Sequence, residues 1–176
     1  MKIRTSHVSN SSSSSFILAL KRKPATPEEM KELLFRDDDT FPNPYGDENE
    51  PESWPAIEIA TRVFNDLQDK EPLTEEECIE KMMWQIDDAV WPHDLIDEFC
   101  GYKKYLETGN RDDWDREEEE KMHRQNAESA YRRFMVKHSN KKLYEVEYSD
   151  NDGLQDCAME HGDLFEIVPH IYLSHH

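Results

Sequence analysis

Ser9-Asn10-Ser11-Ser12-Ser13-Ser14-Ser15-Phe16-Ile17-Leu18-Ala19-Leu20 decides how this chain is read: a run of serines passes directly into five consecutive apolar residues. A short apolar run bounded by turn-formers reads as a buried strand. Met1 to Val8 alternates loosely and reads as a second strand, so the serines join two apolar segments instead of linking two domains. The far end of the chain has the same chemistry. Leu143, Tyr144, Val146 and Tyr148 interleave with Glu145 and Glu147, Ser149 to Gly153 supplies turn residues, and Phe165 to Val168 and Ile171 to Leu173 give further extended segments around Pro169. The expectation is one α+β domain over residues 1–176. Its small sheet is formed by the N- and C-terminal segments, 1–25 and 141–176, and residues 26–140 form a central helical insertion of about four to five helices packed on one face.

The middle carries helical punctuation. Thr26-Pro27-Glu28-Glu29 and Thr74 with Glu77 are capping boxes, the first with proline at the opening helical position. Apolar stripes follow at Ile57, Ala60, Phe64 and Leu67, at Ile79, Met83, Ile86 and Val90, and at Leu95, Ile96, Phe99, Tyr102 and Leu106. A last helix is expected from about Asp112 to His138, with acids at its start and Arg132, Arg133 and Lys137 near its end, matching the helix dipole. Between the first two helices, residues 37–55 hold an Asp triplet, four prolines and a glycine, which reads as a long exposed acidic loop.

Charge narrows the function classes. The chain has 21 Lys plus Arg against 40 Asp plus Glu, a net charge of -19. Residues 1–25 hold five cations and no acid, so the insertion and tail are more acidic still. Direct nucleic-acid binding is disfavoured. The three cysteines form no CxxC pair, and no apolar run reaches membrane-spanning length, so a reducing cytoplasmic location without a membrane is expected.

Lys2-Ile-Arg-Thr-Ser-His-Val-Ser-Asn-Ser-Ser-Ser-Ser-Ser-Phe16 resembles the opening of a recurrent set of uncharacterised bacteriophage and bacterial proteins. Tyr148 to Gly153, Met159 to Gly162 and His170 to His176 are similar to the tail that some of them carry. The resemblance covers roughly a quarter of the chain and implies a phage or mobile-element origin. It implies no known activity and no catalytic residues.

Two functions are expected from the residues. Carboxylates on one helix face lie about 5 to 6 Å apart, and duplex DNA presents one phosphate charge per about 1.7 Å of axis. An acidic helix and loop therefore imitate a nucleic-acid backbone and suit a basic surface on a host macromolecule, making the protein an accessory protein without cofactor. The residues expected to do this are Asp37, Asp38, Asp39, Asp112, Asp113, Asp115, Glu117, Glu118, Glu119 and Glu120. Trp54 and Trp114, set among acids, are candidate anchors. The alternative is a metal- or nucleotide-binding enzyme whose pocket joins the serine loop, Ser11, Ser12, Ser13, Ser14 and Ser15, to His7, Asp150, Asp152, Glu160 and His161. Serine hydroxyls and turn amides suit an anion, and a His and carboxylate set suits a divalent ion. No nucleophile elbow marks a catalytic serine. Asp150 begins a calcium-like turn, but the twelfth position is His161 where that loop needs glutamate.

Overall fold

The computed structural model describes residues 13–44, 51–83, 93–149 and 153–174, excepting the side chains of 93–95 and 174. The expected strand Met1 to Val8, and with it His7, Ser11, Ser12, Asp150, Asp152 and the last two histidines, lies outside the described residues. So do positions 84–92 at the end of the second apolar stripe.

The serine-to-apolar stretch forms β1 (Ser13–Leu20), and it is the centre of the sheet. It pairs antiparallel with β4 (Lys142–Ser149), from Ser13 opposite Ser149 to Leu20 opposite Lys142. On its other edge it pairs antiparallel with β5 (His170–Ser174), from Ser14 opposite Ser174 to Leu18 opposite His170. Both chain ends thus build one three-stranded sheet, as expected. A central strand covered on both sides has no polar face, which is why β1 lacks the alternation of β4.

Phe16, Leu18 and Leu20 point into one core with Tyr144, Val146 and Tyr148, beneath α1 (Pro27–Phe35), α2 (Ala56–Gln68) and α7 (Leu154–His161). Ile17 and Ala19 point into a second core with Leu143, Ile171 and Leu173, beneath α3 (Glu75–Met82) and α6 (Arg116–His138). The expectation of helices on a single face is therefore corrected: they pack on both.

Among the described residues the insertion holds six helices, one more than the upper expectation, because Gly101 splits one expected helix into α4 (His93–Phe99) and α5 (Tyr102–Thr108). Gly101 has φ +76°, and a Cβ there would stand 1.9 Å from the Asp113 carbonyl oxygen, so only glycine fits. A 3₁₀ turn at Arg111–Asp113 delays the long helix, whose N-cap is Asp115. The Thr74–Glu77 box forms reciprocally. At α1 only half of it forms: Thr26 accepts from the Glu29 amide, while Glu29 turns back to the Ala25 amide at 2.6 Å and to Arg22. The acidic loop is pinned by a small ribbon, β2 (Thr40–Pro42) against β3 (Ser53–Pro55), with Phe41 buried opposite Trp54. Phe165 to Val168 is a turn, closed by amide bonds from Glu166 to Asp163 and from Val168 to Phe165, and α7 stands where no helix was expected. Among the described residues no helix is long and apolar enough to cross a membrane.

Candidate functional site

The acidic residues fall into two groups. Asp39 is paired with Lys31 at 2.9 Å, and Glu118 with Lys121 at 2.9 Å. Asp113 bonds Lys104 and Thr108, and those bonds, Lys104 foremost, hold its carboxyl below the ordinary range. Asp115 caps α6 by accepting from the Glu118 amide at 3.0 Å. Glu119 is buried and accepts from the Trp114 indole at 2.9 Å; burial pushes its carboxyl up, against the pull of that bond. Trp114 in turn stacks on Tyr105 at 5.2 Å, and Trp54 packs against the core. Asp37, Asp38, Asp112, Glu117 and Glu120 stay exposed and make no ion pair among the described residues. Half of the proposed acidic face is thus occupied inside the molecule.

The described members of the alternative pocket do converge. Alternation along β1 turns Ser14 toward α7. That helix is fixed from below by Ala158 and Met159 in the core, and from the side by the buried Asp156, 3.3 Å from Arg62 on α2. It stops at Gly162, where a Cβ would strike the Ala158 carbonyl oxygen at 2.4 Å and the Phe41 ring at 2.7 Å. Asp163 then takes a left-handed φ of +54°, and the turn that follows leads into β5. Glu160, His161, His170 and Tyr172 are thereby gathered around a cleft of about 520 Å³ walled by Phe16 and Phe165. The Phe16 ring lies 4.9 Å from Phe165, 5.4 Å from Tyr172 and 6.0 Å from His170.

Within the cleft the hydrogens can be assigned. The Ser14 hydroxyl donates to Glu160 Oε1 at 3.1 Å, so its 3.0 Å contact with Tyr172 is one in which the phenol donates. Tyr172, Ser14 and Glu160 form a polarised chain from a half-exposed phenol to a carboxylate whose side chain has no exposure. His170 donates from Nδ1 to the Val168 carbonyl at 2.9 Å, which leaves Nε2 as the acceptor of the neutral ring. Glu160 Oε2 has no hydrogen-bond partner among the described residues; His161 Nε2 stands 3.5 Å away. Ser13 and Ser15 belong to β1, Ser15 buried on the opposite face.

This order, serine–carboxylate–imidazole, is not that of a nucleophilic triad, in which the imidazole touches the serine. Among the described residues no three His, Cys, Asp or Glu side chains come together as metal ligands, so the metal alternative keeps only Glu160 and His161 here. Asp163 and Glu166 line the cleft rim and also a neighbouring groove of about 490 Å³ that reaches Asp37 and Asp38, with Arg36 among them. Tyr172 and His170, which complete the site, share one face of β5, and nothing in the sequence marks them as partners of Ser14, because that pairing depends on the register of β1 on β5. Comparison with protein-family models, with curated proteins and with solved structures finds no match for this chain.

Proposed function

We propose that this protein is a binding module for a basic group on another macromolecule, an exposed lysine or arginine side chain that it takes into the Glu160 cleft. The carrying observation is Glu160 itself. A carboxylate with no exposure and one oxygen lacking a hydrogen bond among the described residues is costly to leave so, by about 1–3 kcal/mol, and a donor arriving in the cleft removes that cost. Aromatic walls of Phe16, Phe165 and Tyr172 suit the alkyl stem and flat head of arginine. Asp163 and Glu166 at the rim, and a net charge of -19 behind them, draw cations in and repel anions. His161 Nε2, 3.5 Å from Oε2, is the group an incoming donor would displace. The partner class is the one expected from charge, a basic surface, and its contact point moves from the α6 carboxylates to the cleft.

The test is calorimetric titration with acetyl-Gly-Arg-Gly-amide against two charge-neutralised proteins. Glu160→Gln should lose most of the binding. A triple variant, Asp112→Asn, Glu117→Gln, Glu120→Gln, should keep it. Loss in the triple variant with retention in Glu160→Gln would return the site to the α6 face and overturn the proposal.

A further inference from the structure

The outer edge of β5 is unpaired among the described residues, and its hydrogen-bonding phase is fixed. Ala19 donates to the Pro169 carbonyl at 2.8 Å, so by antiparallel alternation Ile171 and Leu173 spend their backbone groups on β1. The N–H and C=O of His170 and Tyr172 therefore point away from the sheet. A cleft lies on each side of this edge, and both are lined by His170 and Tyr172. One is the acidic Glu160 cleft. The other, about 680 Å³, is walled by Met82, Phe134, Val136 and Ile171, with Val136 82% exposed.

We propose that this edge receives an extended segment of a partner protein as a fourth, antiparallel strand, with alternate residues basic toward Glu160 and apolar toward Phe134 and Val136. The inference rests on the Glu160 reading and names the form in which the basic group arrives. Strand addition supplies affinity through main-chain bonds and specificity through alternate side chains. The sheet is already antiparallel throughout, and side-chain alternation sends neighbouring residues of an added strand into the two different clefts. A second copy of this chain is the poorer occupant, because two bodies of charge -19 repel. In the antiparallel register, the residue that exchanges backbone bonds with Tyr172 puts its side chain on the Tyr172 face, which is the Glu160 side.

The experiment titrates the full chain with fluorescent acetyl-(Lys-Val)4-amide at physiological salt. Two further forms of the peptide carry backbone N-methyl groups, one on the lysines and one on the valines. The expected result is binding weakened roughly tenfold or more by N-methyl lysines and by Glu160→Gln, and little changed by N-methyl valines. Equal effects of the two N-methyl forms, with Glu160→Gln still weakening binding, would overturn strand addition and leave the Glu160 reading standing. N-methyl discrimination together with an affinity unchanged by Glu160→Gln would overturn the Glu160 reading and the basic register with it. No binding of the unmethylated peptide, or a dimer of the chain alone closed through β5, would overturn the proposal outright.

Discussion

Replacing Glu160 with glutamine should stabilise the protein while removing its binding. The wild-type side chain is fully buried, with Oε1 held by Ser14 and Oε2 lacking a hydrogen bond among the described residues. Glutamine keeps the shape and the Ser14 bond through its carbonyl oxygen, and drops the buried charge. The amide nitrogen takes the Oε2 position, 3.5 Å from His161 Nε2 to which it can donate, so an acceptor without a hydrogen bond becomes a donor with an acceptor beside it, a relief of about 1–3 kcal/mol. For a chain of this length each kcal/mol moves Tm by about 2–4 °C, so a rise of roughly 2–12 °C is expected. Urea unfolding and thermal melts at neutral pH measure it. A Tm lowered by several degrees would mean that the carboxylate is a structural tie, and the reasoning that treats it as held in reserve for a ligand would fail.

Ile17→Ala, at a position with no exposure in the central strand, should cost about 3–5 kcal/mol in urea unfolding; a cost under about 1 kcal/mol would contradict the two-sided burial of β1. Gly101→Ala should cost about 2 kcal/mol or more, because its Cβ would meet a backbone carbonyl, and a neutral result would show that the α4–α5 junction is not built as described. The Cys78 thiol is pushed up to about 12, by burial first and by Glu77 and Glu145 next, and burial raises Tyr148 well above its ordinary value. Both groups ionise more readily in the unfolded chain. Their contribution is therefore whole below about pH 9 and shrinks as pH climbs toward about 12. The urea midpoint should fall between about pH 8 and about pH 10.5, with Cys78 inert to iodoacetamide in the folded protein at the lower value; an unchanged midpoint or prompt alkylation would contradict this.

The sheet was legible because it rests on strong local signals: five apolar residues after a serine run, alternation from Leu143 to Tyr148, and a short apolar segment at Ile171. The Thr74 and Thr26 caps were legible for the same reason. Which faces the helices would cover was implicit in β1, whose unbroken apolar run leaves no side for solvent. The α7 helix was missed because Asp156 and Glu160 interrupt its apolar pattern, and both are buried for tertiary reasons. The split at Gly101 depends on Asp113, twelve residues away, which no local rule anticipates. At the site, the sequence could nominate Ser14, Glu160 and His161 but not join them, since 146 residues separate the serine from the glutamate it bonds. Along the acidic run from Asp112 to Glu120, composition counts carboxylates without showing that Asp113, Asp115, Glu118 and Glu119 are used as ties and caps.

The most direct measurement is carbon-detected NMR of the side-chain carboxylates during titration with ethylguanidinium. The account predicts that the Glu160 carboxylate moves first and furthest, together with the Tyr172 and Phe165 ring signals, and that Asp112, Glu117 and Glu120 follow only weakly. Shifts spread evenly over the exposed acids, with Glu160 silent, would contradict it.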